Sequence, residues 1–183
     1  PTEPPTGTGD RVGGYAQQMD TANRQPLPGD LVAEARKRVC DRVDELAERL
    51  VATSHAIHAE PELNFEEHLA HELLTNVLAE EGLPVVRGAY GLDTAFEADA
   101  GTEGPLVAVL CEYDALPGIG HACGHNVIAT AGLGAGLAAA TVAAELGGRV
   151  RILGTPAEEG GGGKVIMASR GAFDGVDAAM MIH

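Results

Sequence analysis

A chain of 183 residues has the size of one ordinary domain or of part of a larger one, and a hydrophobic content of 45% excludes a disordered protein. Aromatic residues make up 3% and Trp is absent, so any core is built from Ala, Val, Leu and Ile. The formal net charge of -15, from 12 basic and 27 acidic residues, repels phosphate backbones and anionic bilayers and argues against nucleic acid or membrane as partners.

In chain order, residues 1–30 are polar, rich in Pro and Gly and lack the apolar centre of a signal peptide, which reads as a flexible N-terminal arm. Residues 31–53 follow as an amphipathic helix, with Leu31, Val32, Val39, Val43, Leu46, Leu50 and Val51 at helical spacing among Arg, Glu and Asp. The pattern pauses at Glu60-Pro61, resumes over 66–81 and stops at Gly82. Strands are predicted over 83–86, 94–98, 106–110, 150–153 and 178–182, with helices over 126–146 and 163–172. The uncharged stretch 127–144 is long enough to span a bilayer, but its Ala, Gly and Thr suit a helix packed closely inside a protein. Strands alternating with helices imply an α/β fold, a three-layer sandwich around a mainly parallel sheet.

Ligands of open α/β sheets bind beyond the carboxyl ends of the strands. Asp114 stands just past the third predicted strand, with Cys123, Gly124 and His125 further along the same connection. Glu158 and Glu159 follow the fourth strand, and His183 follows the fifth. These residue types bind zinc, manganese or cobalt. The start of a helix favours the thiolate of Cys123, and nearby carboxylates oppose it. Two adjacent glutamates are costly without a cation, unless one binds metal while the other takes a proton from metal-activated water. His55, His58, His68 and His71 read as surface or packing residues, and Cys111 as core. Gly160 to Gly163 followed by Lys164 superficially suggests a phosphate loop, but Val165 stands where such a loop needs Ser or Thr. Three cysteines form no paired framework, which fits a reducing, cytoplasmic setting.

The stretches Asp114-Ala115-Leu116-Pro117, His121-Ala122-Cys123-Gly124-His125-Asn126 and Thr155-Pro156-Ala157-Glu158-Glu159-Gly160 resemble the family-twenty metallopeptidases. The branch is that of aminobenzoyl-glutamate hydrolase, the auxin-conjugate hydrolases and the β-alanyl-lysine dipeptidases, and His58-Ala59-Glu60-Pro61-Glu62-Leu63 with Glu66 resembles its N-terminal signature. The resemblance implies a metallo-amidohydrolase holding two divalent cations, zinc or manganese, with cobalt also accepted. Its substrates would be N-acyl amino acids, aminobenzoyl-glutamate-like conjugates or dipeptides. By the same resemblance Cys123, His125, Glu159 and His183 are metal ligands, Glu158 is the general base and Asp114 supports the ligands from behind. Asn126 stands where many relatives carry Asp, which leans toward the aminobenzoyl-glutamate and dipeptidase side. Such enzymes continue into a dimerisation domain and the rest of the catalytic domain. Residues 31–183 are therefore expected to be the N-terminal part of the catalytic metal-binding domain of a homodimeric parent, inactive alone. The rival readings are an aminoacylase or deacetylase, or a non-catalytic metal-binding or assembly module.

Overall fold

The computed structural model describes residues 26–183; of the expected arm, residues 1–25 lie outside the described residues. Helix α1, Gly29–Ala59, begins after Pro28 and carries Asp30 in its first turn, where an acidic side chain complements the helix dipole. It runs past the expected end at 53 because Ile57 continues the buried stripe of Leu46, Thr53 and Ser54. Pro61 then forces the preceding residue from helical geometry, and Glu60 stands at φ -128 and ψ 75. Helix α2, His68–Glu80, starts after a bend in which Phe65 takes a left-handed φ of 63. The carboxylate of Glu62 caps it, accepting the backbone N–H groups of Leu69 at 2.9 Å and Ala70 at 3.0 Å.

The strands are β1 (Val85–Arg87), β2 (Phe96–Ala100), β3 (Leu106–Glu112), β4 (Arg149–Thr155) and β5 (Ala178–Met180). They form one five-stranded sheet in the order β1-β2-β4-β3-β5. Its centre is parallel, β3 lying between β4 and β5, while β1 and β2 add an antiparallel edge. Helix α3, His125–Ala143, links β3 to β4, and the short α4, Gly163–Ser169, stands between β4 and β5. The period-2 alternation of β3 separates two cores. Val109 and Cys111 pack with α1, α2 and α3, whereas Ala108 and Leu110 pack with Met167 of α4. The expected α/β sandwich is therefore present, with α1 resting on the outer side of α3.

The small residues of α3 explain how it fits. A Cβ at Gly132 would stand 2.6 Å from the Leu110 carbonyl oxygen, and one at Gly136 would meet the Ile152 side chain at 2.5 Å. On the side facing α1, a Cβ at Gly134 would meet Leu50 at 2.6 Å. Two-thirds of this membrane-like stretch is buried inside the fold, 67% of its most apolar window.

Neighbouring strands β3 and β4 thus send their chains to helices on opposite faces of the sheet. The crevice that opens between two such diverging connections is where open α/β sheets bind ligands. Gly132→Ala should lower stability by roughly 1–3 kcal/mol, because strand backbone cannot yield as a side chain can. Thermal unfolding would register this as a fall of several degrees in the midpoint.

Candidate metal centre

His125 is the first residue of α3 and is fully buried. Gly124 before it takes a left-handed φ of 85, which turns the chain into the helix at little cost without a side chain. The imidazole Nδ1 lies 2.8 Å from the Asp114 main-chain oxygen and 3.1 Å from its Oδ1. Both neighbours are acceptors, so Nδ1 carries the proton and the lone pair is left on Nε2. Asp114 also accepts the backbone N–H of Glu159 on Oδ2 at 2.9 Å, which ties the β3 connection to the β4 connection.

Around Nε2 stand three carboxylates: Glu112 Oε2 at 3.5 Å, Glu159 Oε1 at 3.8 Å and Glu158 Oε2 at 3.9 Å. His183, after β5, brings its Nε2 to 3.6 Å from the same Glu112 oxygen. Two groupings result, Cys123 with His125 and Glu159, and Glu112 with His125, Glu158 and His183. Within each, the possible ligand atoms lie within 4.8 Å of one another. Every residue expected at the site, Asp114, Cys123, His125, Glu158, Glu159 and His183, is brought to this one edge of the sheet.

The electrostatics follow from the crowding. Burial would push the Asp114 carboxyl up, but hydrogen bonds from His125 and from the Glu159 and Glu158 backbone bring it below its ordinary range. Burial would lower His125, yet the hydrogen bonds and charge of Asp114 outweigh it and hold the imidazole above its usual value. The Cys123 thiol is pushed up by burial and by the Glu159 carboxylate, partly countered by the His125 backbone N–H. Of the two opposing influences weighed from the sequence, the one against the thiolate prevails among the protein groups, with burial as the larger cause and the Glu159 carboxylate beside it.

Glu112 escapes a reading that ends the third strand at 110. The strand runs on to Glu112, which the alternation places on the same face as Ala108 and Leu110, toward α4. There Lys164 forms an ion pair with its Oε1. That pairing also gives Lys164 a place other than a phosphate loop. Continuation of the period-2 pattern past Leu110 is the signal that could have revealed it. By contrast His71 packs against Phe96, with ring centroids 6.0 Å apart, and His58 against His121 at 6.3 Å, both outside the two groupings. Cys111 is buried core, its thiol pushed up to about 12 by desolvation. Asn126 turns its amide to Ser54 of α1, donating to the hydroxyl at 2.9 Å.

The donor set fits divalent cations. Among the described residues, Glu112 Oε2 and His125 Nε2 are buried without a hydrogen-bond partner. Unpaired buried acceptors of this kind are expensive, and a cation satisfies several at once. Thiol, imidazole and carboxylate together suit zinc, manganese or cobalt.

Comparison with known proteins places this geometry. A model of the peptidase family M20/M25/M40 matches residues 92–183, half of the chain. The chain belongs to this peptidase family. It is 48% identical over 162 residues to the Xaa-Arg dipeptidase of Mus musculus, covering 81% of this chain and 38% of that protein. It is 35% identical over 169 residues to one of the subunits of the p-aminobenzoyl-glutamate hydrolase of Escherichia coli, covering 82% of this chain and 35% of that protein. The chain thus spans well under half the length of these relatives. Among solved structures, the Bacillus subtilis YXEP protein, described as a dinuclear metal binding peptidase of the M20 family, aligns with a TM-score of 0.67 and 28% identity. That alignment covers 74% of this chain and 42% of the other.

Lys164 is the cationic partner of a carboxylate with a side-chain exposure of 1%. Lys164→Met is therefore expected to destabilise the chelator-treated protein by about 3 kcal/mol, since it strands a buried charge. Adding Glu112→Gln should recover most of the loss, as read by urea denaturation.

Proposed function

We propose that the full-length protein is a metallo-amidohydrolase that cuts the amide bond of a dipeptide or N-acyl amino acid, with two divalent cations held at this edge of the sheet. The observation that carries the reading is the pair of buried, unpaired acceptors on Glu112 and His125, with Cys123, Glu158, Glu159 and His183 around them. Cys123, His125, Glu159 and His183 are the proposed ligands, as zinc, manganese or cobalt would require. Such cations, when bound, polarise the scissile carbonyl and make water more acidic.

The chain's own residues supply the remaining chemistry. Asp114 holds the proton on His125 Nδ1 and so keeps Nε2 available to bind. Glu158, whose side chain is one-third exposed at 33%, is open enough to meet substrate and is the proposed general base. Its carboxylate takes a proton from the attacking water as the new carbon–oxygen bond forms. It then gives that proton to the amide nitrogen as the carbon–nitrogen bond breaks, leaving a carboxylate and a free amine. The names of the mouse and E. coli relatives support an amide beside a free carboxylate, with Xaa-Arg dipeptides as the first substrates to assay. Residues 31–183 are proposed as the N-terminal part of the catalytic domain in a homodimeric, cytoplasmic parent.

Metal content and turnover of the full-length protein test this reading. About two ions per chain are expected after dialysis, falling in Cys123→Ala. Glu158→Gln is expected to keep its metal and lose roughly 10²–10⁴-fold in kcat. Turnover near wild type in that variant would remove Glu158 from the role of base.

A further inference from the structure

Glu67 is a fully buried carboxylate that the chemistry above leaves unused. It stands at the N-cap position of α2, distant from Glu158 in sequence, yet its Oε1 accepts the backbone N–H of Ala157 at 2.8 Å. Its Oε2 accepts the Thr94 hydroxyl, also at 2.8 Å. Burial raises the Glu67 carboxyl above its ordinary pKa, and these donors limit the rise. Ala157 immediately precedes Glu158 and has a left-handed φ of 56, a conformation that a Cβ disfavours. Such a backbone persists where its surroundings over-determine it. The surroundings here are specific. The Phe65 ring and the Ala157 Cβ together crowd Gly161, where an added Cβ would collide with Phe65 Cε2 and stand 2.7 Å from the Ala157 methyl. The Thr94 main-chain oxygen in turn accepts the Tyr113 hydroxyl at 2.5 Å, beside Asp114.

We infer that Glu67 is a positioning residue: it fixes the left-handed turn at Ala157 and thereby aims the Glu158 and Glu159 carboxylates at His125. The role rests on the reading of Glu158 and Glu159 as the working carboxylates. The same segment reaches the other connection, because the Glu62 main-chain oxygen accepts the Ala115 N–H at 2.7 Å. Residues 62–67 thus join the two strand-end loops that carry the site. A carboxylate suits the task because it offers two acceptor atoms to two donors. Glutamine of the same shape presents an NH₂ to one of them and leaves that donor unpaired.

The test uses the full-length protein, wild type and Glu67→Gln, with the exposed neighbour Glu66→Gln as control. Cobalt(II) is titrated into metal-free protein while the thiolate-to-cobalt absorption of Cys123 is followed, and kcat and KM are measured on an Xaa-Arg dipeptide. Glu67→Gln should bind cobalt at least tenfold more weakly and lose tenfold or more in kcat, with KM within about twofold. Glu66→Gln should match wild type in both. Thr94→Val removes one donor with little change of shape, and should give a smaller loss in both readouts. Wild-type cobalt affinity and kcat in Glu67→Gln overturn the inference; so do wild-type values in Thr94→Val if Glu67→Gln does not fold. A wild-type protein that neither binds cobalt through Cys123 nor hydrolyses the dipeptide overturns the underlying metallohydrolase reading instead.

Discussion

Asp114 accepts the His125 Nδ1–H with its carboxylate and its own main-chain carbonyl, and with its other carboxylate oxygen accepts the backbone N–H of Glu159. Through this one residue the imidazole tautomer is settled, the lone pair of Nε2 is turned toward the crevice, and the β3 and β4 connections are locked together. The carboxylates around Nε2 then converge on one small volume. Lys164, reaching from α4 on the face that Glu112 itself occupies, offsets part of their mutual repulsion. What remains unpaired points inward, which is the condition for holding a cation.

The rest of the fold serves that convergence. Glycines at 132 and 136 let α3 lie on the sheet closely enough for its first residue, His125, to reach the strand ends. A bulkier helix would stand away and take the imidazole with it. Because α3 and α4 cover opposite faces, the loops after β3 and β4 separate and leave the crevice open. The segment from Glu62 to Glu67 closes the arrangement from the side: it caps α2 and hydrogen-bonds both loops. In the resemblance this stretch is an N-terminal signature without an assigned chemistry. Its contacts give it a mechanical one.

Much of this was legible beforehand because the relevant signals are local. Helical spacing locates α1 and α2, continuous apolar runs locate β3 and β4, and a strand-end rule picks out Asp114, Cys123, His125, Glu158, Glu159 and His183. Boundaries were less legible. Strand β3 reaches Glu112 because pairing with β4 continues through Glu112↔Thr155, a contact between residues far apart in sequence. The attachment of β2 to β4 depends on a similarly distant pairing, antiparallel and in a register that seats the Phe96 ring against Gly154.

By itself the sequence determined the element types, the order of the motifs and the ligand chemistry, since each depends on residue type and short spacing. Tertiary structure decided which acceptors are buried together and which are satisfied. Glu112 became part of the site, Lys164 its counter-charge, and Cys123 a thiol whose pKa burial and the Glu159 carboxylate push up. Glu67 became a strut for the Ala157 turn. These outcomes depend on distances between segments tens of residues apart, and such distances exist once the sheet has formed and its two faces have been covered.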